Sequence, residues 1–151
     1  MNTRPSYLKL TATLALLAVV LFARNSLLAE EVSLFDHEGS ATAYIAEDLT
    51  IYLWSGEPVA YLYPQSNSVH IYGFNGHHLG WMADGIIIDH DGNAVGSVRG
   101  ALQMFYQFEP FKSFKQFKPF KSFREFAPFA PFRSNRWSRV PLRLFLAAGA
   151  E

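Results

Sequence analysis

Histidines and carboxylates are the side chains best suited to chemistry in this sequence, because it contains no cysteine. That absence excludes a thiolate nucleophile, a disulfide and any cysteine-ligated metal. Five histidines remain as metal-ligand candidates: His37, His70, His77, His78 and His90. His37 and His90 stand two residues before a glycine, at a position that holds Trp or Phe in equivalent segments, so we interpret both as packed flat rings. His77 and His78 are adjacent in a predicted strand, so they face opposite ways and would not bind one ion together. We predict no metal site and no other cofactor.

Two carboxylate pairs are the remaining candidates for acid–base catalysis or cation binding. The run that starts at Asp89 resembles a calcium-binding loop, but its sixth position is Ala94 rather than Gly and its twelfth is Gly100 rather than Glu. Both pairs lie at predicted turns, where we expect solvation, whereas a general acid needs burial. The pairs are Asp36 with Glu38 and Asp89 with Asp91. The sequence also lacks the serine-nucleophile, phosphate-loop and dinucleotide-binding motifs, so we predict that the protein is not an enzyme.

A twelve-residue unit occurs four times between Val32 and Val98. This repeat determines which strands and turns carry the histidines and carboxylates named above. The copies are LFDHEGSATAYI, IYLWSGEPVAYL, IYGFNGHHLGWM and IIDHDGNAVGSV. Each has a polar residue followed by a glycine near its centre, which is a strong signal for a tight hairpin turn. The flanking runs are rich in β-branched and aromatic residues, which favours strands. We predict four β-hairpins that close into a shallow, four-fold pseudo-symmetric all-β barrel, because closure removes exposed strand edges.

Alternation along the strands divides the side chains of this barrel between two apolar faces. A small residue at the same position of every unit predicts a close approach near the axis: Ala43, Ala60, Gly80 and Gly96. The opposite face is predicted to carry Thr42, Val59, Leu79 and Val95, followed in three units by a ring. We take these three rings, Tyr44, Tyr61 and Trp81, as a candidate apolar binding face.

The units IYLWSGEPVAYL, IYGFNGHHLGWM and DHDGNAVGSVRG resemble the bacterial four-fold β-flower family, over roughly residues 32–99. The Lys-Pro-Phe-Lys-Ser-Phe style of the following tail is also similar to that family. The resemblance implies a petal-like barrel of four hairpins, similar overall to Tubby C-terminal-like folds that bind membrane lipids. It implies a fold but no catalytic site, since no activity is established for the family. The first unit departs most from the pattern, with Thr42 in place of an aliphatic residue and no counterpart of the Glu57-Pro58 pair.

A basic Phe/Pro-rich tail follows the barrel over residues 101–151. Phenylalanine occurs at every third position from Phe105 to Phe132, partly within a nine-residue repeat over residues 108–134. Four prolines argue against an α-helix, whereas polyproline II has three residues per turn and would align the rings along one edge and the cations along the next. We therefore predict an extended tail. Candidate membrane or partner contacts are Phe111, Phe114, Phe117, Phe120 and Phe123 with Lys112, Lys115, Lys118, Lys121 and Arg124.

Ten exposed phenyl rings would invite aggregation, so we expect the phenylalanine stripe to be buried. It could pack on its own barrel or a neighbouring copy, or it could enter a membrane interface with the cations on anionic head groups. A disordered linker and a peptide ligand for another domain are the remaining alternatives.

The first 29 residues have the organisation of a targeting segment. Arg4 and Lys9 precede an apolar run over residues 10–23, and Ala29 offers a cleavage site. The run is short for a bilayer span, so we predict a cleaved signal peptide and keep an inner-membrane anchor as the alternative. Either way, the domain at residues 32–100 is expected to be exported, as a periplasmic or secreted protein.

Charges are segregated along the chain although its net charge is zero. Residues 30–100 carry ten acids and one base, whereas residues 101–151 carry nine bases and three acids. Such a split favours a tail that docks on its own barrel or on an anionic surface. The leading hypothesis is a non-enzymatic, exported binding or scaffold module whose partner is its own tail or an anionic membrane or envelope component. A barrel that binds a lipid or a small hydrophobic ligand is the alternative, and no nucleic acid is expected.

Overall fold

Eight short strands and one helix make up the computed structural model, which describes residues 30–150. The strands are β1 (Val32–Phe35), β2 (Ala41–Ile45), β3 (Thr50–Leu53), β4 (Pro58–Gln65), β5 (Ser68–Gly73), β6 (His78–Ala83), β7 (Ile86–Ile88) and β8 (Ala94–Val98). The helix, α1 (Leu142–Ala147), lies near the C-terminus. Within residues 30–150, no helix has the length and apolar character needed to span a bilayer. The predicted signal peptide or anchor at residues 1–29 lies outside the described residues.

Every strand pairs antiparallel with its neighbours in sequence, and β1 pairs with β8 to close the barrel. In each hairpin a β-bulge interrupts the register at the same place. A bulge inserts one extra residue into one strand of the pair. The extra residues are Thr42, Val59, Leu79 and Val95. The predicted all-β barrel of four hairpins is therefore confirmed, with the repeat visible even in its irregularities.

The bulges correct the predicted strand faces. Strict alternation puts Val59, Leu79 and Val95 on the outer face with the rings. In the structure these three side chains instead lie in the core cluster, together with Ala43 and Ala60. The extra residue shifts the alternation by one position, so two successive residues can contribute to the interior.

Helix α1 packs its apolar face into the barrel interior. Leu142 and Leu146 are 1% and 0% exposed, and Phe145 belongs to the same core cluster. A Cβ atom on Gly96 would lie 2.7 Å from a Leu142 methyl carbon, and one on Gly80 would lie 3.1 Å from Phe145 Cζ. Two of the small residues near the axis therefore make room for helix side chains.

The helix lies at the end of the barrel that carries the four hairpin turns, which we call the turn rim (residues 36–40, 53–57, 73–77 and 89–93). Asn75, in the third turn, donates from its side-chain amide to the carbonyl oxygen of Ala148 at 2.8 Å. Its backbone N–H donates to the carbonyl oxygen of Gly149 at 3.3 Å. The segment after β8 thus returns across the turn rim and closes it.

Candidate interaction surface

The Phe-rich tail passes along the turn rim and contacts each hairpin in turn. One backbone N–H of the tail donates to the carbonyl oxygen of each turn glycine, at 2.8–3.0 Å. The pairs are Gln107 with Gly39, Gln116 with Gly56, Glu125 with Gly76, and Ser134 with Gly92. Successive donors are nine residues apart, so one tail repeat spans one hairpin.

The four turn glycines are required by the tail as well as by the turns. Their φ angles lie between +78° and +89°, a region that favours glycine. A Cβ atom at any of them would lie only 1.9–2.2 Å from a tail carbonyl oxygen. These oxygens belong to Phe105, Phe114, Phe123 and Phe132. Any side chain at these positions would therefore displace the tail.

The prolines of the tail fall between its hydrogen-bond donors. At the second and third hairpins a serine N–H donates to the barrel as well. These pairs are Ser113 with the Trp54 carbonyl at 3.2 Å and Ser122 with the Phe74 carbonyl at 2.8 Å. Proline has no N–H to offer, and Pro110 and Pro119 each stand three residues before such a serine. The repeat therefore keeps a donor where a hairpin carbonyl is available.

The cations of the tail lie over aromatic rings of the barrel wall. The nitrogen or guanidinium carbon is 4.3 Å from the ring centroid for Lys112 and Tyr44, 4.0 Å for Lys121 and Tyr61, and 3.9 Å for Arg124 and Tyr63. A cation within about 6 Å of a ring centroid is attracted to the face of the ring. The wall thus stabilises the positive charge of the tail through its rings.

Ion pairs add to this attachment. Glu31 accepts from Lys112 and Lys115 at 2.7 and 2.5 Å, and Lys118 pairs with Asp48. Burial of Asp48 raises its pKa, but hydrogen bonds from Lys118 and Thr50 outweigh that effect and hold the pKa at about 2. The acidic barrel and the basic tail are therefore joined by specific pairs as well as by their opposite net charges.

This arrangement corrects the predicted orientation of the tail. The expectation that the phenylalanine stripe is buried is wrong, because its ten side chains are 81–102% exposed. The amides and cations of the tail find partners on the barrel, which leaves the rings facing away from it. Of the candidate contacts, Phe111, Phe114, Phe117, Phe120 and Phe123 are at the surface, whereas Lys112, Lys115, Lys118, Lys121 and Arg124 contact the barrel wall. We call the ten rings from Phe105 to Phe132 the phenylalanine girdle.

The candidate binding face at Tyr44, Tyr61 and Trp81 is covered rather than open. These side chains are 1%, 2% and 3% exposed. They lie in clusters separate from the barrel core, on the outer wall. Tail cations cover the two tyrosines, and Ala101 and Leu102 pack against Trp81. The three rings therefore form part of the surface on which the tail packs. The prediction that they form a free ligand-binding face is corrected accordingly.

A protein-family model described as 4-fold beta flower protein matches residues 32–146. The chain belongs to the 4-fold beta flower family. The match covers the girdle and most of α1 as well as the eight strands, and the contacts described above join these same parts. Neither the curated proteins nor the solved structures give a significant match.

Three histidines of this beta flower protein form a hydrogen-bonded chain beside the tail. His78 Nε2 lies 3.0 Å from His70 Nδ1, and His78 Nδ1 lies 2.9 Å from His90 Nε2. His78 is 3% exposed, with the ring of Trp81 packed edge-on at 4.5 Å. Burial, reinforced by the two neighbouring imidazoles, lowers the pKa of His78 to about 4. A neutral imidazole both donates and accepts, so an uncharged chain satisfies its own hydrogen bonds.

Glu125 connects the tail to this histidine chain. Its carboxylate accepts from the backbone N–H of His78 at 2.6 Å and lies 3.2 Å from His77 Nδ1. These two contacts lower the pKa of Glu125. The hydroxyl of Tyr72 donates to its carbonyl oxygen at 3.0 Å. Among residues 30–150, no three histidines and carboxylates are arranged to hold a metal ion, and the imidazoles form a line rather than a converging set.

Sequence reasoning missed the histidine chain, although a signal for part of it was present. The strand register pairs Tyr72 with His78 and His70 with Trp81, which makes His70 and His78 diagonal neighbours on one face. That relation requires the bulge at Leu79, which alternation alone does not reveal. The interpretation of His37 and His90 as packed rings is wrong for His37, which is exposed, and holds for His90 only in that its exposed ring stacks on His78, with centroids 5.2 Å apart.

Proposed function

We propose that the protein is a non-enzymatic module, exported to the cell envelope, that docks on a membrane surface through its phenylalanine girdle. The observation that carries this proposal is the 81–102% exposure of ten phenyl rings beside cations that contact the barrel. Because the rings recur at every third position of a tail held by its amides, they share the side of the tail that faces away from the barrel.

The amount of exposed ring surface supports a large apolar partner. Each exposed phenyl ring offers about 200 Å², so three successive rings of the girdle already expose about 600 Å². The largest apolar patch on a typical soluble monomer is about 300–600 Å². A bilayer interface is an extended apolar partner that many rings can enter at once, and aromatic side chains favour that depth.

The positions of the cations support an apolar rather than an electrostatic attachment of the girdle. Lys118 is paired with Asp48, and Lys121 lies over the Tyr61 ring. A polybasic segment would bind anionic head groups with a strong dependence on salt. Attachment through the rings needs no charge on the head groups. We therefore expect the girdle to bind uncharged vesicles, with an affinity that is nearly independent of salt.

A ligand inside the barrel has less support than a surface partner. The interior is filled by strand side chains such as Leu34, Ile51 and Ile71, all 0% exposed, and by Leu142 and Leu146 of α1. A ligand inside the barrel would have to displace helix α1.

The test is vesicle co-sedimentation of the protein with five girdle rings replaced by serine, at Phe111, Phe114, Phe117, Phe120 and Phe123. Vesicles of pure phosphatidylcholine are used, at low and high salt. Full burial of one such ring is worth about 1.5–3 kcal/mol, so even partial insertion of five rings predicts a loss of affinity of at least about 100-fold. The unfolding free energy should change by less than about 0.5 kcal/mol, because these rings are fully exposed.

The matched control replaces the same five phenylalanines by leucine, which keeps the apolar surface and the tail backbone. This variant should bind phosphatidylcholine vesicles within a few-fold of the unmodified protein. Equal binding by the serine variant and the unmodified protein would refute the proposed role of the girdle.

A further inference from the structure

The segment that follows the girdle carries a second, different set of exposed side chains. Residues 133–144 contain four arginines and no acid: Arg133, Arg136, Arg139 and Arg143, all exposed. Three large apolar side chains are interleaved with them, with Trp137, Val140 and Leu144 at 37%, 48% and 60% exposure. Within residues 30–150, the ion pairs with carboxylates involve other cations, such as Lys112 and Lys118.

The fold fixes this segment on the turn rim. Ala94, at the start of β8, donates to the Arg136 carbonyl oxygen at 2.9 Å and accepts from the Ser138 N–H at 2.7 Å. Helix α1 follows directly, with Leu142 buried and Leu144 exposed. The arginines and exposed apolar side chains therefore lie at the end of the barrel to which the girdle is anchored.

Two nearby carboxylates reduce this positive charge without cancelling it. Arg136, Trp137 and Arg139 line a cleft of about 380 Å³ together with Asp89 and Asp91. The Asp89 carboxylate is committed to its own turn, where it accepts from the backbone N–H groups of Asp91 and Asn93 at 3.0 and 2.8 Å. The three arginines of residues 136–144 outnumber these two aspartates, so the segment keeps a net positive charge.

We infer that residues 136–144 form a head-group site for anionic phospholipids. Arginine matches the geometry of a phosphate with two parallel N–H donors. Tryptophan and aliphatic side chains beside it suit the boundary between head groups and acyl chains. The inference rests on the proposed membrane docking of the girdle and adds to it a selectivity for lipid charge that the girdle lacks.

The test replaces Arg136, Arg139 and Arg143 by glutamine in the full chain. Binding is measured to vesicles of phosphatidylcholine alone and of phosphatidylcholine mixed with phosphatidylglycerol. The unmodified protein should prefer the anionic vesicles, and the preference should fall with salt. Each arginine near an anionic surface contributes about fivefold in affinity, so the variant should lose on the order of 100-fold of that preference. Its binding to phosphatidylcholine alone should stay unchanged.

A control with the same loss of charge replaces Lys115, Lys118 and Lys121 by glutamine. These side chains contact the barrel wall, so the preference for anionic vesicles should largely remain. Equal losses in the two variants would mean that net charge alone is responsible and would overturn the assignment. An unmodified protein that binds both vesicle types equally would overturn the head-group site and leave the girdle proposal standing. Failure to bind either vesicle would refute both.

Tryptophan fluorescence gives an independent measurement at the site. Trp81 is 3% exposed and Trp54 lies under Lys112, so Trp137 is the tryptophan most accessible to iodide in water. Anionic vesicles should protect it from iodide quenching in the unmodified protein but not in the arginine variant. Quenching that vesicle binding leaves unchanged would contradict the contact.

Discussion

Gly56 and Gly100 have nearly the same backbone conformation in very different surroundings. Their φ angles are +87° and +83°. A Cβ atom on Gly56 would lie 2.0 Å from the Phe114 carbonyl oxygen, whereas nothing lies within 4 Å of one on Gly100. The two positions therefore separate the cost of a left-handed conformation from the cost of displacing the tail.

Replacement of each glycine by alanine should give different stability losses. Gly100→Ala carries only the conformational cost, about 1–2 kcal/mol. Gly56→Ala adds the collision with the tail, so its loss in unfolding free energy should be clearly larger. Urea unfolding measures both losses, and hydrogen exchange at the Gln116 amide, which donates to Gly56, should speed up only in Gly56→Ala. Equal losses with unchanged exchange would show that the tail does not depend on this glycine.

The tail repeats are similar in sequence, yet their charged contacts differ from one hairpin to the next. Glu109 pairs with Arg99 at 3.0 Å, while the equivalent residue of the next repeat, Lys118, pairs with Asp48. A shift of the tail by one repeat would bring Glu109 to Asp48, or Lys118 to Arg99, and oppose like charges. We infer that these pairs set the register of the tail on a barrel whose four hairpins are otherwise alike.

The stability of the folded protein should fall in mild acid because of His78 on β6. Because the folded-state pKa of His78 is about 4, below its ordinary value of 6.5, the unfolded chain takes up a proton first as the pH falls. The stabilisation by neutral His78 is complete above about pH 6.5 and is lost towards pH 4, by up to about 3 kcal/mol. The groups that face His78 are His70, His90, Tyr72, His77 and the tail carboxylate of Glu125. The pKa of His70 is lowered by burial as well, which acts in the same direction.

Urea unfolding between pH 7 and pH 4.5 measures this loss. His78→Gln keeps hydrogen-bonding capacity without the titration, so its unfolding free energy should fall much less over the same range. Asp48, with a pKa of about 2, loses its contribution only at lower pH and does not interfere. A variant with the same pH dependence as the unmodified protein would contradict the assignment to His78.

For the molecule as a whole, features that depend on local interactions could be predicted from the sequence, whereas features that depend on contacts between distant segments could not. The hairpins were predictable because a polar-Gly pair and alternating side chains act locally. The orientation of the tail was not, since a period of three defines three edges without saying which edge meets the barrel. That choice depends on hairpin carbonyls, such as that of Gly56, which come together only in the closed barrel. Helix α1 also gave no local signal, because Pro141 at its start makes no side-chain cap and its first turn has no acid.

Closure of the turn rim by α1 should make the barrel and the helix one cooperative unit. Leu142 packs beside Gly96 of β8 and is 1% exposed, whereas Leu144, two residues later, is 60% exposed. Leu142→Ala should lower the unfolding free energy by about 2–5 kcal/mol, and Leu144→Ala by less than about 0.5 kcal/mol. Circular dichroism and tryptophan fluorescence should report a single urea transition in both variants. If Leu142→Ala costs no more than Leu144→Ala, the helix is an appendage of the barrel rather than part of its core.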